Sequence, residues 1–129
     1  IRTLADARKA CREVHEAGSE IMLLTSLIHN ETRDDQIQML ASSKSGEQYL
    51  VTTPRLPLDP APNGAGDCTA ALFLAHILKG EKLSDAFSKT AASVFSLFEE
   101  TQKAGTRELA LIQAQDNFAN PKPMSVLAL

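Results

Sequence analysis

The chain lacks most of what would place it in a specialised class. It has no tryptophan, one tyrosine and two cysteines in 129 residues. Cys11 and Cys68, expected in different helices, form neither a disulfide framework nor a metal-ligand pattern, and suggest free thiols in a reducing compartment. His15, His29 and His76 are scattered, which argues against a histidine metal centre. Thirteen Lys and Arg against sixteen Asp and Glu give a net charge of −3. With no basic cluster along the chain, this argues against nonspecific nucleic-acid binding. No apolar run reaches the roughly 18 residues of a membrane span, and there is no signal peptide, lipidation motif, internal repeat or low-complexity stretch. What is there is ordinary globular composition, 43% apolar and 22% charged, in a length that suits one modest domain. Ile1 stands almost on a helix cap where an initiator methionine would be expected, which predicts a piece of a longer protein.

Local patterns lay out the elements. Thr3 and Asp6 have capping-box spacing, and Leu4, Ala7, Ala10, Cys11, Val14 and Ala17 follow helical period, predicting a helix over 4–17 stopped by Gly18. The run Ile21–Leu24 predicts a buried strand of a mainly parallel sheet. It ends at Thr25 and Ser26, where ligands sit in open α/β sheets and where plain loop capping is the alternative. Residues 36–42 and 48–53, around a polar turn with Gly46, predict a β-hairpin. Four prolines in 54–62 exclude helix and inner strand and pre-order a loop. Residues 68–79 are apolar on almost every face, predicting a central helix buried all round and stopped by Gly80. Leu83, Ala86, Phe87, Ala91, Val94, Phe95 and Phe98 make a helical stripe over 83–100, and Phe73, Phe87, Phe95 and Phe98 are expected in the core. A shorter helix over 108–117 should turn Leu109, Leu111 and Ile112 inward, and residues 124–129 a last short strand. The order describes an α/β layout.

The most informative segment is Gly64-Ala65-Gly66-Asp67, ahead of the apolar helix. Two glycines and a small residue bring backbone N–H groups to a helix N-terminus, where unpaired donors and partial positive charge attract an anion. Asp67 is the odd residue in a place built for negative charge. A carboxylate beside a phosphate is useful when a proton must leave an attacking hydroxyl. The competing reading is a tight turn with Asp67 as a helix N-cap. Cys68 reads as a reactive thiolate at a helix start or as a small core residue, and His76 as a packed polar residue.

These residues carry a resemblance. Gly64-Ala65-Gly66-Asp67 followed by Cys-Thr-Ala-Ala-Leu-Phe-Leu resembles the second signature of the ribokinase-like superfamily. Leu23-Leu24-Thr25-Ser26 and the pattern running from Glu108-Leu109 through Ile112, Gln113, Gln115, Asp116 and Phe118 to Pro121 are similar to the pyridoxal kinases within it. The resemblance implies a ribokinase-like three-layer fold, of which this chain is the C-terminal half, residues 1–129, with the N-terminal half absent. It implies ATP-dependent phosphorylation of the 5′-hydroxymethyl group of pyridoxal, pyridoxine or pyridoxamine.

Carried over by residue, it implies Asp67 as the base and Gly64, Ala65 and Gly66 as an anion hole. Thr25, Ser26, Leu58 and Asn63 would be nucleotide-binding positions. Asn63 stands where the family often has an apolar residue near the substrate ring, and Ala65 replaces a threonine of some members. The family uses ATP, Mg²⁺ and usually a monovalent cation such as K⁺, often forms homodimers, and is expected in the cytoplasm. It has no nucleic-acid or membrane partner, and no metal-ligating residue of this chain is singled out. Two other readings stay open: another ribokinase-like kinase, for a sugar or a hydroxymethylpyrimidine, and a noncatalytic nucleotide-binding module. The isolated chain is expected to be a poor enzyme with exposed apolar surface.

Overall fold

A computed structural model describes residues 1–58 and 61–129. The chain divides into two compact units, one of residues 1–55 and 126–129 and one of residues 56–125.

The first unit is a helix with a four-stranded sheet. Helix α1 (Leu4–Glu16) starts where expected because the capping box forms: the Asp6 amide donates to Thr3 Oγ1 at 3.1 Å and the Thr3 amide to Asp6 Oδ2 at 2.9 Å. Strands β1 (Ile21–Leu27), β2 (Gln36–Ser43), β3 (Gln48–Pro54) and β4 (Leu127–Ala128) are hydrogen-bonded in that order. The predicted hairpin is β2–β3, closed by Ser43 N–H to the Glu47 carbonyl at 2.9 Å with Gly46 at φ 102°. The short final strand forms as expected, against Tyr49 and Leu50. Ala7, Cys11, Leu27, Leu40 and Leu50 make the core, flanked by Leu4, Met22, Leu24 and Leu129.

The expectation of a mainly parallel sheet with β1 buried inside it is corrected here. All described pairings are antiparallel, and Ile21, Thr25 and Ser26 are exposed. The physical reason is connection length: the eight residues 28–35 between β1 and β2 are too few for a parallel crossover. A continuous apolar run does not by itself distinguish the two cases. The strand also runs past Thr25 and Ser26 rather than ending there. Leu24 pairs Leu40 and Leu27 pairs Gln38, so Thr25 and Ser26 together oppose Met39 in a β-bulge.

The second unit is helical. Helix α2 (Ala65–Leu78) begins three residues earlier than predicted and is not buried all round. It buries Thr69, Phe73 and His76, while Leu74 and Leu78 are 55% and 76% exposed. An apolar surface on every side shows that a helix can be central; it does not supply the neighbours, and among the described residues α2 meets α3 on one side. Helix α3 (Leu83–Ala104) runs four residues past the predicted end, to the left-handed Gly105. Phe87 and Leu97 are fully buried, but Phe95 and Phe98 are only half-buried. Helix α4 (Leu111–Ala119) starts three residues late. The Ala110 amide donates to Thr101 Oγ1 at 3.1 Å, pinning residue 110 to α3 before the helix begins. That sets the phase: Ala110 and Ala114 turn inward, Leu109 is half-buried, and Leu111 and Ile112, expected inward, are exposed. His76 is the packed polar residue expected, its Nδ1–H donating to Glu81 at 3.1 Å while Lys89 pairs with the same carboxylate at 3.0 Å. No helix of the described residues is long and apolar enough to cross a membrane.

Candidate functional site

The start of α2 is built by Gly64. It is the N-cap, at φ 83° and ψ −1°, with no side chain to cap the helix. The first helical hydrogen bond runs from the Cys68 amide to the Gly64 carbonyl at 2.9 Å. The amides of Ala65, Gly66 and Asp67 precede it, and none of them donates to a described residue. A helix start normally leaves such donors for a side chain, water or a ligand. Gly66 keeps the place open: apart from its chain neighbours and its own helix backbone, no described atom lies within 4 Å of where a Cβ would stand.

Asp67 is exposed, in the first turn of the helix. The reading in which it is the N-cap does not hold, because Gly64 occupies that position. It also does not act as the returning half of a capping box. In α1 the equivalent third residue, Asp6, accepts from both the Thr3 and Arg2 amides, and those bonds hold its carboxyl below the usual range. The Asp67 carboxylate has no hydrogen-bond or ion-pair partner among the described residues. It is a carboxylate without a structural role among the described residues, beside three unpaired amides. Cys68 is half-buried, and burial pushes its thiol up, away from thiolate. That supports the core reading. Both cysteines are free.

Of the other predicted residues, Asn63 is exposed and immediately precedes the turn, whereas Leu58 is half-buried with its amide donating to the Leu56 carbonyl at 2.9 Å. The proline-rich loop is described except for residues 59 and 60; Pro60 therefore lies outside the described residues. Thr25 and Ser26 belong to the sheet unit, on the β1 bulge. Their hydroxyls have no partner among the described residues, and Ser26 adopts φ 54°, where every other positive φ among the described residues is a glycine's. A left-handed non-glycine residue costs on the order of 1–3 kcal/mol and tends to persist at functional places. Nothing in the dipeptide Thr-Ser signals that conformation. Among the described residues there is no group of three or more His, Cys, Asp or Glu arranged to hold a metal ion.

Comparison with known proteins adds a kinship. No family model matches the chain. The pyridoxal kinase PdxY of Rubrobacter xylanophilus is 43% identical over 122 residues, 94% of this chain and 41% of that protein. The pyridoxal kinase PdxY of Deinococcus radiodurans is 38% identical over 126 residues, 95% of this chain and 42% of that protein. The chain thus spans about two fifths of the length of the curated relatives it matches. Among solved structures, the pyridoxal kinase of Leishmania donovani in complex with ADP and pyridoxine superposes on all of this chain and 45% of its own, with a TM-score of 0.86 at 22% identity. That of Entamoeba histolytica gives 0.83 at 23% identity, again over the whole chain and 45% of its own. At these identities the likeness establishes that the chain shares the α/β fold of the matching part of those structures.

Proposed function

We propose that this chain is the C-terminal, phosphoryl-transferring part of an ATP-dependent kinase for the 5′-hydroxymethyl group of pyridoxal, pyridoxine or pyridoxamine. The observation that carries the reading is the start of α2, where the Asp67 carboxylate and, within the proposed anion hole of Gly64–Gly66, the amides of Ala65 and Gly66 are unengaged by the described protein. The homologues' names supply the substrate class.

Phosphoryl transfer needs alignment and neutralisation of charge more than covalent chemistry. In this reading the amides of Gly64, Ala65 and Gly66 receive the travelling phosphoryl. Loss of one comparable donor costs on the order of 3 kcal/mol of barrier. Asp67 accepts the proton of the attacking hydroxyl, which becomes acidic as its bond to phosphorus forms. Thr25, Ser26, Leu58 and Asn63 are assigned to nucleotide contacts, the first two through free hydroxyls. Mg²⁺ would come with ATP, neutralising phosphate charge. The ion would rest largely on nucleotide oxygens and water, as Mg²⁺ commonly does. A monovalent cation, a homodimeric assembly and a cytoplasmic location complete the proposal.

The test is a substrate panel on the open reading frame that encodes this chain: the three B6 vitamers, hydroxymethylpyrimidine and a sugar, each with ATP. Phosphorylation of a vitamer is expected, and Asp67→Asn should lower kcat by about 10²–10⁴-fold with ATP affinity little changed. Near-normal turnover by that variant would remove Asp67 as the base. Phosphorylation of the sugar or the pyrimidine alone would reassign the substrate. ATP binding without any turnover would favour a noncatalytic module. The 129 residues alone should turn over poorly, in keeping with the exposed Leu74 and Leu78 of α2.

A further inference from the structure

We propose that the cleft between the second half of α1 and the β2–β3 turn binds a phosphate-bearing small molecule, at a place independent of the Asp67 site. The cavity is about 380 Å³, within the range of small-molecule sites and well beyond what a bare ion fills. All its walls belong to the sheet unit.

The charge of the cleft is opposite to that of the chain. Arg8, Arg12 and Lys44 line it against one carboxylate, Glu16, whereas the whole chain is at −3. Neither guanidinium has an ion-pair partner among the described residues, and Lys44 reaches only Glu20, at 3.5 Å. Two arginines four residues apart on a helix stand on one face. Each can offer a fork of N–H donors to an oxyanion. Arg8 is already aimed, because its Nε donates to Gln48 Oε1 at 2.6 Å, leaving both terminal nitrogens for a ligand.

The floor is polar, buried and fixed. His15, Ser42 and Gln48 are 6%, 1% and 8% exposed. The His15 Nδ1–H donates to the Ser19 carbonyl at 2.7 Å, and its Nε2 accepts from the Ser42 hydroxyl at 2.9 Å. Gln48 Nε2 donates to the same hydroxyl at 3.3 Å. This network ties the end of α1 to both hairpin strands. Little ordering is then left for a ligand to impose, which favours binding. Two forked cations and an ammonium favour a dianion over a monoanion, hence a phosphate over a carboxylate. The spare volume is for the group that carries it.

The experiment is an NMR titration of the isotopically labelled protein encoded by the full open reading frame with inorganic phosphate, with acetate at matched ionic strength as the second arm. Saturable shifts are expected at Arg8, Arg12, Lys44 and Gly46, with phosphate at least tenfold tighter than acetate. Arg12→Gln, an exposed change, should weaken phosphate about tenfold, and Lys44→Gln should weaken it in the same direction. Lys9→Gln, whose side chain pairs with Glu13, should leave it unchanged. Nonsaturating shifts, equal affinity for acetate, phosphate binding unmoved by Arg12→Gln and Lys44→Gln, or shifts confined to residues 64–67 would each overturn the proposal. The last outcome would leave the kinase reading standing, and failure of the kinase assay would leave this one standing.

Discussion

Replacing Gly64 and Gly66 one at a time by alanine should move stability in opposite directions, although both glycines belong to one turn. At Gly64 a Cβ would meet Leu109 Cδ1 at 3.7 Å, an ordinary contact, so there is no clash to relieve. The cost is conformational. At φ 83° an L side chain crowds its own backbone, by about 1–2 kcal/mol, and Gly64→Ala should lose that much. Gly64→Asn should lose less, since asparagine tolerates the left-handed region. At Gly66 the backbone is helical and a Cβ meets nothing within 4 Å. Alanine there removes glycine's excess chain entropy and should gain up to about 1 kcal/mol. Urea unfolding midpoints at constant m read both changes. Turnover separates the two further: the open space at Gly66 is where the phosphoryl would rest, so Gly66→Ala should be stable yet slower by about a hundredfold. If Gly64→Ala were as stable as the parent, or if both variants fell together, the backbone argument for this turn would be wrong.

Two other perturbations probe the separate units. Ser42→Ala removes the hydroxyl shared by His15 and Gln48, leaving two buried polar groups short of a partner, and should cost about 1–3 kcal/mol by urea unfolding; a neutral result would mean that the network is loosely held. Glu81 accepts a hydrogen bond from His76 and forms an ion pair with Lys89 at 3.0 Å, and together they hold its carboxyl below the ordinary value of 4.5. A lowered folded-state pKa adds stability that is complete above the unfolded value and is lost as pH falls through the folded one. Glu81→Gln should therefore lose stability at neutral pH and show a shallower decline below about pH 4.5; an unchanged acid limb would refute the pairing.

What the sequence made legible was local. The capping box of α1, the hairpin around Gly46, the stop at Gly80 and the final short strand each depend on a few neighbouring residues, and each forms. The errors concern what a segment meets. Ile21–Leu24 is apolar without alternation, and only its partners decide whether it is an inner parallel strand or, as found, a bulged antiparallel one. The α4 phase was set by Thr101, nine residues away, whose hydroxyl holds residue 110. The pattern of leucines alone pointed Leu111 and Ile112 the wrong way. The basic cleft was illegible for the same reason: Arg8, Arg12 and Lys44 make no run in the chain, and folding α1 against the hairpin brings them to one cavity.

The turn at residues 64–67 was legible because its chemistry lies in the backbone of four consecutive residues. Comparison of the two N-termini sharpens why glycine must lead it. Asp6 and Asp67 both stand three residues after an N-cap. Thr3, at φ −127° and ψ 163°, is extended, which turns its own amide toward the third residue, and the Asp6 carboxylate is consumed there. Gly64, at φ 83°, turns the chain the other way, so no such return bond forms. The same dihedral withholds a capping side chain from the first amides, since glycine has none. One left-handed residue thus leaves both the carboxylate and the amides unengaged. A serine or threonine at position 64 would favour an extended cap and recruit Asp67 into the box, converting a candidate base into a structural anchor without touching Asp67 itself.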